Sequence, residues 1–212
     1  MDFMQDISFN EMELSAIGEI SNISLGNAAT SLGILLHNNV EISTPRIEIK
    51  NKGEIVQMHK ENAVIIRVNY IKGIQGYSIL FLKEEDVKII TDLMMGSDGY
   101  GMFYEQEISE LHISAVSEAM NQMMGSAATA MSTMMDRVVD ISIPETAHMS
   151  AGEYVAYEFP NDDRFLQINF RVKLGDVVVT DMVQMYPYVL GKAIADLFIL
   201  NRDDILQKHN AQ

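Results

Sequence analysis

The sequence predicts an α+β fold in which two similar halves, each a helix, three strands and a closing helix, form an antiparallel sheet packed against helices. The first observation is an internal repeat: segment 15–30 recurs at 114–129, and 40–45 recurs at 139–144, both at an offset of 99 residues. The second is that both halves show the same order of helical and strand patterns. A period this long exceeds a solenoid unit and indicates a duplicated half with pseudo-twofold symmetry.

We expect a single domain over residues 1–212, made of pseudo-repeats at about 10–98 and 106–200. A glycine-rich turn at 96–101 marks the boundary between them. Helices are predicted at about 10–36, 84–95, 106–136 and 188–200. Strands are predicted at 40–50, 63–70, 77–82, 139–148, 165–173 and 176–186.

Each type of element has its own local signal. The opening helices contain uncharged stretches at 20–36 and 119–135, which polar residues and glycine interrupt, so buried helices are expected rather than membrane spans. The strand candidates are short, rich in β-branched residues and bounded by Gly, Asn or Asp. The short connections at 71–76 and 174–175 favour antiparallel pairing over crossovers.

The composition excludes several classes of function. Thirty acidic against fifteen basic residues leave a formal charge of −15, which repels nucleic-acid backbones and anionic lipid head groups. The chain has no cysteine, so disulfides and thiolate chemistry are excluded, and its five scattered histidines predict no metal site. The first residues do not resemble an export signal. We therefore expect a cytoplasmic protein that neither binds nucleic acid nor inserts into membranes.

One face of each opening helix carries the same set of residues. At about 100° per residue, four residues of the first helix fall within an arc of about 60°. They are Ser15, Glu19, Asn22 and Gly26. The second copy is Ser114, Glu118, Asn121 and Gly125. Ile17 and Ile20 fall roughly opposite and are expected to face the sheet.

An isolated Glu-x-x-Asn pair is typical of a solvated helix surface. Here the pair recurs while its neighbours drift, as at Ile20 and Ala119, which is the reverse of what a structural core does. A carboxamide can accept a hydrogen bond from a water molecule and orient its attack, and a carboxylate can bind a partner's lysine. Such a site is sufficient only for a substrate that brings its own metal ion and cation, as a phosphorylated receiver domain does.

At these residues the sequence resembles the CheC/CheX/FliY family of aspartyl-phosphate phosphatases, which act on the chemotaxis response regulator CheY. The family motif is Asp or Ser, three residues, Glu, two residues, Asn, then 22 residues and Pro. It is matched by Ser15, Glu19, Asn22 and Pro45 and again by Ser114, Glu118, Asn121 and Pro144. The similarity extends over roughly 10–200, and the wider match favours the FliY branch, specifically its catalytic middle domain.

The resemblance implies a role for each motif residue. Asn22 and Asn121 would orient the hydrolytic water, while Glu19 and Glu118 would contact the receiver's lysine. The serines and glycines of the stripes would take part in binding, and the two prolines would have a structural role. Mg²⁺ would come from the CheY receiver, with no cofactor held by this chain. The protein would work in the cytoplasm at the flagellar basal body switch complex.

The resemblance also leaves alternatives open. An N-terminal CheY-binding peptide and a C-terminal FliN-like domain, both typical of FliY, are not visible, so we expect either the middle of a longer protein or a shorter relative closer to CheC. FliM- or FliG-type switch proteins are expected partners only in the first case. A non-catalytic scaffold that binds phosphorylated CheY or switch proteins is the competing function.

Overall fold

The computed structural model describes the backbone of residues 8–210 and the side chains of residues 8–202. The first half comprises α1 (Glu11–Leu36), β1 (Val40–Ile42), β2 (Arg46–Asn51), α2 (Lys52–Met58), β3 (Asn62–Lys72), β4 (Gly76–Lys83) and α3 (Glu84–Met94). The second comprises α4 (Glu110–Met134), β5 (Asp140–Ile141), β6 (Glu145–Ser150), α5 (Ala151–Glu158), β7 (Arg164–Leu174), β8 (Val178–Pro187) and α6 (Tyr188–Asn210). The predicted α+β class with an antiparallel sheet against helices is confirmed.

The sheet joins the two halves by exchanging their outer strands. β1 and β2 of the first half pair with β7 of the second, whereas β5 and β6 pair with β3. The hairpins β3–β4 and β7–β8 meet where β4 pairs antiparallel with β8, centred on Leu80 opposite Gln184. Every pairing in the sheet is antiparallel, and each half supplies the outer edge of the other half's hairpin.

The predicted strand at 40–50 is interrupted, and so is its counterpart at 139–148. Between the pairs Ile42–Val172 and Arg46–Asn169, residues 43–45 lie opposite only two residues of β7, which is a β-bulge. The interruption is stabilised by Ser43, whose amide donates to the Arg171 carbonyl at 2.8 Å and whose hydroxyl accepts from the Arg171 amide at 3.0 Å. Proline ends the bulge because it has no N–H for the ladder.

The second bulge has the same construction. The Ser142 amide donates to the Asn69 carbonyl at 2.8 Å, and the Asn69 amide donates to the Ser142 hydroxyl at 3.2 Å. Two serines 99 residues apart therefore take the same place in the two sheet edges.

Two short helices, α2 and α5, are absent from the predicted elements. Each is only seven or eight residues long and contains a glycine, which hides its pattern. Both carry a start signal, because the Asn51 and Ser150 side chains accept from the amides of Glu54 and Glu153, three residues on. They cover a small apolar cluster on one sheet face that includes Ile55. The larger core lies on the other face, beneath α1, α3, α4 and α6.

Asp92 holds the connection between the halves. Its buried carboxylate accepts from the amides of Gly99 and Gly101 at 2.9 Å and of Phe103 at 3.2 Å. Gly99 has a φ of +97°, so the turn uses a backbone conformation that favours glycine. Burial by itself raises the pKa of Asp92, but the hydrogen bonds from Gly101, Ser97 and the other donors outweigh it and hold the pKa below its usual value.

Replacing Asp92 with asparagine is expected to lower the free energy of unfolding by about 3 kcal/mol, because an amide cannot accept from all these donors and leaves a buried N–H unpaired. Urea unfolding at neutral pH measures this loss. Since the pKa is depressed in the folded state, the stabilisation is present above the unfolded pKa of about 3.9 and is lost as the pH falls below it. The difference between the two proteins should therefore shrink in acid.

Asp98→Asn is the matched control, because Asp98 is exposed in the same connection. We expect a change within about 0.5 kcal/mol. Equal losses from the two substitutions would contradict the role assigned to Asp92.

Candidate functional site

The first stripe lies on an uninterrupted helix, because α1 continues through Gly26 to Leu36. A reciprocal cap starts the helix: the Glu13 amide donates to the Asn10 side chain at 2.9 Å, and the Asn10 amide donates to the Glu13 carboxylate at 2.8 Å. Ile17 and Ile20 are buried in the core, as their positions in the sequence predict. The opposite face therefore remains available to solvent.

The second stripe lies on α4, which begins with a cap at the corresponding positions. The Ser109 amide donates to Nδ1 of His112 at 3.2 Å, so Nε2 carries the proton that is donated to the Phe103 carbonyl at 2.8 Å. His112 is fully buried, and it connects the helix start to the turn held by Asp92. Both long helices thus begin with an N-cap residue and an N3 partner, 99 residues apart.

The two helices lie side by side over the sheet. Where they meet, the Ser126 hydroxyl of α4 donates to the Asn27 carbonyl of α1 at 3.2 Å. These two positions are also 99 residues apart, so the helices cross at equivalent points. We call the Ser15, Glu19, Asn22 and Gly26 face the first site, and the Ser114, Glu118, Asn121 and Gly125 face the second site.

Most of the predicted site residues are accessible. Asn22 is exposed and Asn121 is half-buried, while both glutamates and both serines are exposed. Gly26 and Gly125 border open space, since a Cβ added at either would meet nothing within 4 Å. A macromolecular partner can therefore approach both helix faces closely.

The asparagines and glutamates of the two sites differ in whether their side chains already make hydrogen bonds. Within residues 8–202 neither Asn22 nor Asn121 makes a side-chain hydrogen bond, so both carboxamides are available to water. Glu19 is bonded to Arg202 of α6, with 3.2 Å between Oε2 and Nη1. Glu118 accepts from Nε2 of Gln122 at 2.9 Å.

Pro45 and Pro144 do not join the helix faces. They lie directly before β2 and β6, at the ends of the two bulges, with Pro45 half-buried and Pro144 buried. Their place in the sheet is compatible with the structural role that the motif implies.

Two neighbours of the site were not predicted. Gln122 follows Glu118 at the i,i+4 spacing that brings helix side chains together, and that rule could have identified it. Arg202 reaches Glu19 from 183 residues away in the chain, and no local pattern indicates such a contact. Among the described residues no group of three His, Asp or Glu side chains could hold a metal ion.

An ion pair between the buried Glu13 and the half-buried Lys192 fixes the start of α1 against α6. Nζ of Lys192 lies 2.6 and 2.7 Å from the two oxygens of Glu13, and it also donates to the Ser8 carbonyl at 3.1 Å. Burial by itself raises the pKa of Glu13, but the bonds from Lys192 and from the Asn10 amide outweigh it and keep the pKa below its usual value. The pair sets the position of the helix that carries the first site.

Comparison with known proteins shows that both stripes lie in segments that match a known protein family. The model of the CheC-like family matches residues 12–49 and again 111–147, and these two segments contain both copies of the motif. The flagellar motor switch phosphatase FliY of Bacillus subtilis (strain 168) is 41% identical over 184 residues, which is 86% of this chain and 48% of that protein. The chain therefore spans about half the length of the curated relative that it matches.

The fold is also similar to solved structures. Thermotoga maritima FliY superposes with a TM-score of 0.81 at 29% identity, over 92% of this chain and all of that one. The FliG–FliM complex from H. pylori matches with a TM-score of 0.70 at 15% identity, over 89% of this chain and all of the matched chain, which shows a shared fold. In the part of the chain that the structure describes, none of the helices combines the length and apolarity that a membrane span requires.

Substituting Lys192 with methionine is expected to lower the free energy of unfolding by about 3 kcal/mol, because it leaves the Glu13 carboxylate buried without its cation. Chemical unfolding at neutral pH measures the loss. Because the pKa of Glu13 is lowered in the folded protein, the stabilisation is present above the unfolded pKa of about 4.3 and is lost as the pH falls below it. The difference in unfolding free energy between the two proteins should therefore shrink in acid.

Lys173→Met provides the comparison, because the Lys173 side chain is 45% exposed and its Nζ lies 3.9 Å from a carboxylate oxygen of the exposed Asp176. Its loss should change stability by less than about 1 kcal/mol. If Lys192→Met lowered the free energy of unfolding no more than Lys173→Met does, the ion pair between Glu13 and Lys192 would not fix α1.

Proposed function

The chain belongs to the CheC-like family, and from that premise we propose that it is a protein aspartyl-phosphate phosphatase that dephosphorylates CheY at the flagellar motor switch. The observation that carries the proposal is the pair of accessible carboxamides, Asn22 and Asn121, each one turn from a carboxylate inside a segment that matches the family. The relative that is named a flagellar motor switch phosphatase supports the same class of activity.

In the proposed reaction, each carboxamide oxygen accepts a hydrogen bond from a water molecule and directs its oxygen at the phosphorus of the acyl phosphate. The P–O bond to the receiver's aspartate breaks, which releases inorganic phosphate and a free carboxylate. Orientation of this kind requires no basic group on the enzyme, which suits an amide. Mg²⁺ enters as part of the phosphorylated receiver and neutralises the phosphoryl oxygens there.

The glutamates serve docking in this proposal. Glu19 and Glu118 lie on the same helix faces as the asparagines and carry the negative charge that a receiver lysine would meet. The open space beside Gly26 and Gly125 allows the partner's loops to reach the carboxamides. The name of the FliY relative supports a place at the flagellar motor switch, and the proposed location is the cytoplasm at the flagellar basal body switch complex. FliM- or FliG-type switch proteins are further proposed partners if the chain is the middle of a longer FliY-like protein.

The two sites should act as separate catalysts. Asn22→Ala and Asn121→Ala are each expected to retain between roughly a quarter and three quarters of the activity, because independent sites add. The double variant should fall to the spontaneous rate of CheY dephosphorylation. Phosphate release from phosphorylated CheY, with the chain in catalytic amounts, measures all three.

Asn27→Ala is the control, since Asn27 is an exposed asparagine of α1 whose amide is bonded to the Ile23 carbonyl of its own helix. It should leave the rate unchanged. Complete loss from either single variant of the site asparagines would contradict independent sites, and full activity of the double variant would contradict the proposed mechanism.

Reversing the charge of both glutamates tests whether their carboxylates dock the partner. Glu19→Lys combined with Glu118→Lys is expected to raise the KM for phosphorylated CheY about tenfold, because two like charges then meet at each contact. Initial rates over a range of CheY concentrations give this value.

A matched control adds the same charge elsewhere. Glu41→Lys with Asp140→Lys changes two exposed acids that are also 99 residues apart, on β1 and β5. The KM should rise only when the two helix glutamates, Glu19 and Glu118, are replaced. If both pairs had the same effect, the overall charge of the chain and not a lysine contact would govern docking.

A further inference from the structure

The two sites differ in the neighbour that engages the carboxylate. In the first site the positively charged guanidinium of Arg202 lies 3.2 Å from the Glu19 carboxylate, which is the acid proposed to dock the partner. In the second site the neutral amide of Gln122 bonds Glu118 at 2.9 Å. Within residues 8–202, Glu118 has no ion pair.

This difference originates in two departures from the repeat. Ile23 occupies the position in α1 that corresponds to Gln122 in α4, so the first site has no amide of its own to hold the acid. The closing helices also differ in length, since α3 has 11 residues and α6 has 23. Arg202 is the fifteenth residue of α6, beyond the length that α3 reaches, so the other half has no counterpart to it.

The packing of the closing helices explains why only the first site is affected. α6 packs against α1, whereas α3 packs against α4. The later residues of the longer helix, α6, therefore lie along the first site. The shorter helix, α3, ends too early to place residues along the second site.

We propose that Arg202 is a positioning residue that restrains the first site, so that the second site is the preferred docking position for phosphorylated CheY. This inference rests on the proposed function. An incoming lysine must displace the guanidinium from Glu19, but it meets at Glu118 a carboxylate whose charge is not already compensated. Gln122 holds that carboxylate in place without competing for it.

The effect of Arg202 on the affinity of the first site is expected to be moderate. The Glu19 and Arg202 side chains are 46% and 63% exposed, and ion pairs between exposed groups contribute little. We expect a change of about two- to fivefold in apparent affinity at the first site, with no effect on the chemical step.

The test isolates each site with an asparagine variant. In the Asn121→Ala background, where only the first site is active, Arg202→Ala should lower the KM for phosphorylated CheY about two- to fivefold and leave kcat unchanged. Arg202→Lys keeps the positive charge and should retain the higher KM. In the Asn22→Ala background, where only the second site is active, Arg202→Ala should change neither constant.

The outcomes separate the restraint from the function on which it rests. An active chain whose KM does not fall on Arg202→Ala in the Asn121→Ala background contradicts the restraint alone. A rise in KM or a fall in kcat there would show that Arg202 assists the partner, which also overturns it. A wild-type chain that fails to accelerate phosphate release contradicts the proposed function, and the restraint with it.

Discussion

The antiparallel pairing of β4 with β8 is the constraint on which the positions of both candidate sites depend. These equivalent strands meet at Leu80 and Gln184, and the outer strands then cross to the opposite hairpins. Each half is thereby completed by the other, so one sheet supports both long helices. The contact from Ser126 to Asn27, 99 residues apart, shows that α1 and α4 obey the same symmetry. The sequence repeat supplies the two polar faces, and this arrangement places them on neighbouring helices.

The sequence predicted the fold class and nearly all the long elements, because a 99-residue repeat shows each pattern twice. It did not predict the exchange of outer strands, since pairing partners depend on long-range registers that strand patterns do not specify. The bulges were missed although Pro45 and Pro144 are signals for an interrupted ladder. The start signals at Asn51 and Ser150 could have identified the two short helices.

Helical periodicity alone identified which residues share a face, because helix geometry is fixed by the backbone. The state of those residues could not be predicted in the same way. Asn22 is exposed and Asn121 is half-buried, and Glu19 meets an arginine where Glu118 meets an amide. Such differences arise from how far another helix extends, as α6 does beyond the length of α3. A repeat in sequence therefore predicts two sites but does not make them equal.

The measurement that tests the account most directly is multiple-turnover release of inorganic phosphate from phosphorylated CheY, with the chain at a small fraction of the CheY concentration. The account predicts that each chain releases many phosphates and that decay is faster than the spontaneous rate. Decay at or below the spontaneous rate would contradict catalysis and would favour the competing function, a scaffold that binds the regulator without hydrolysing it.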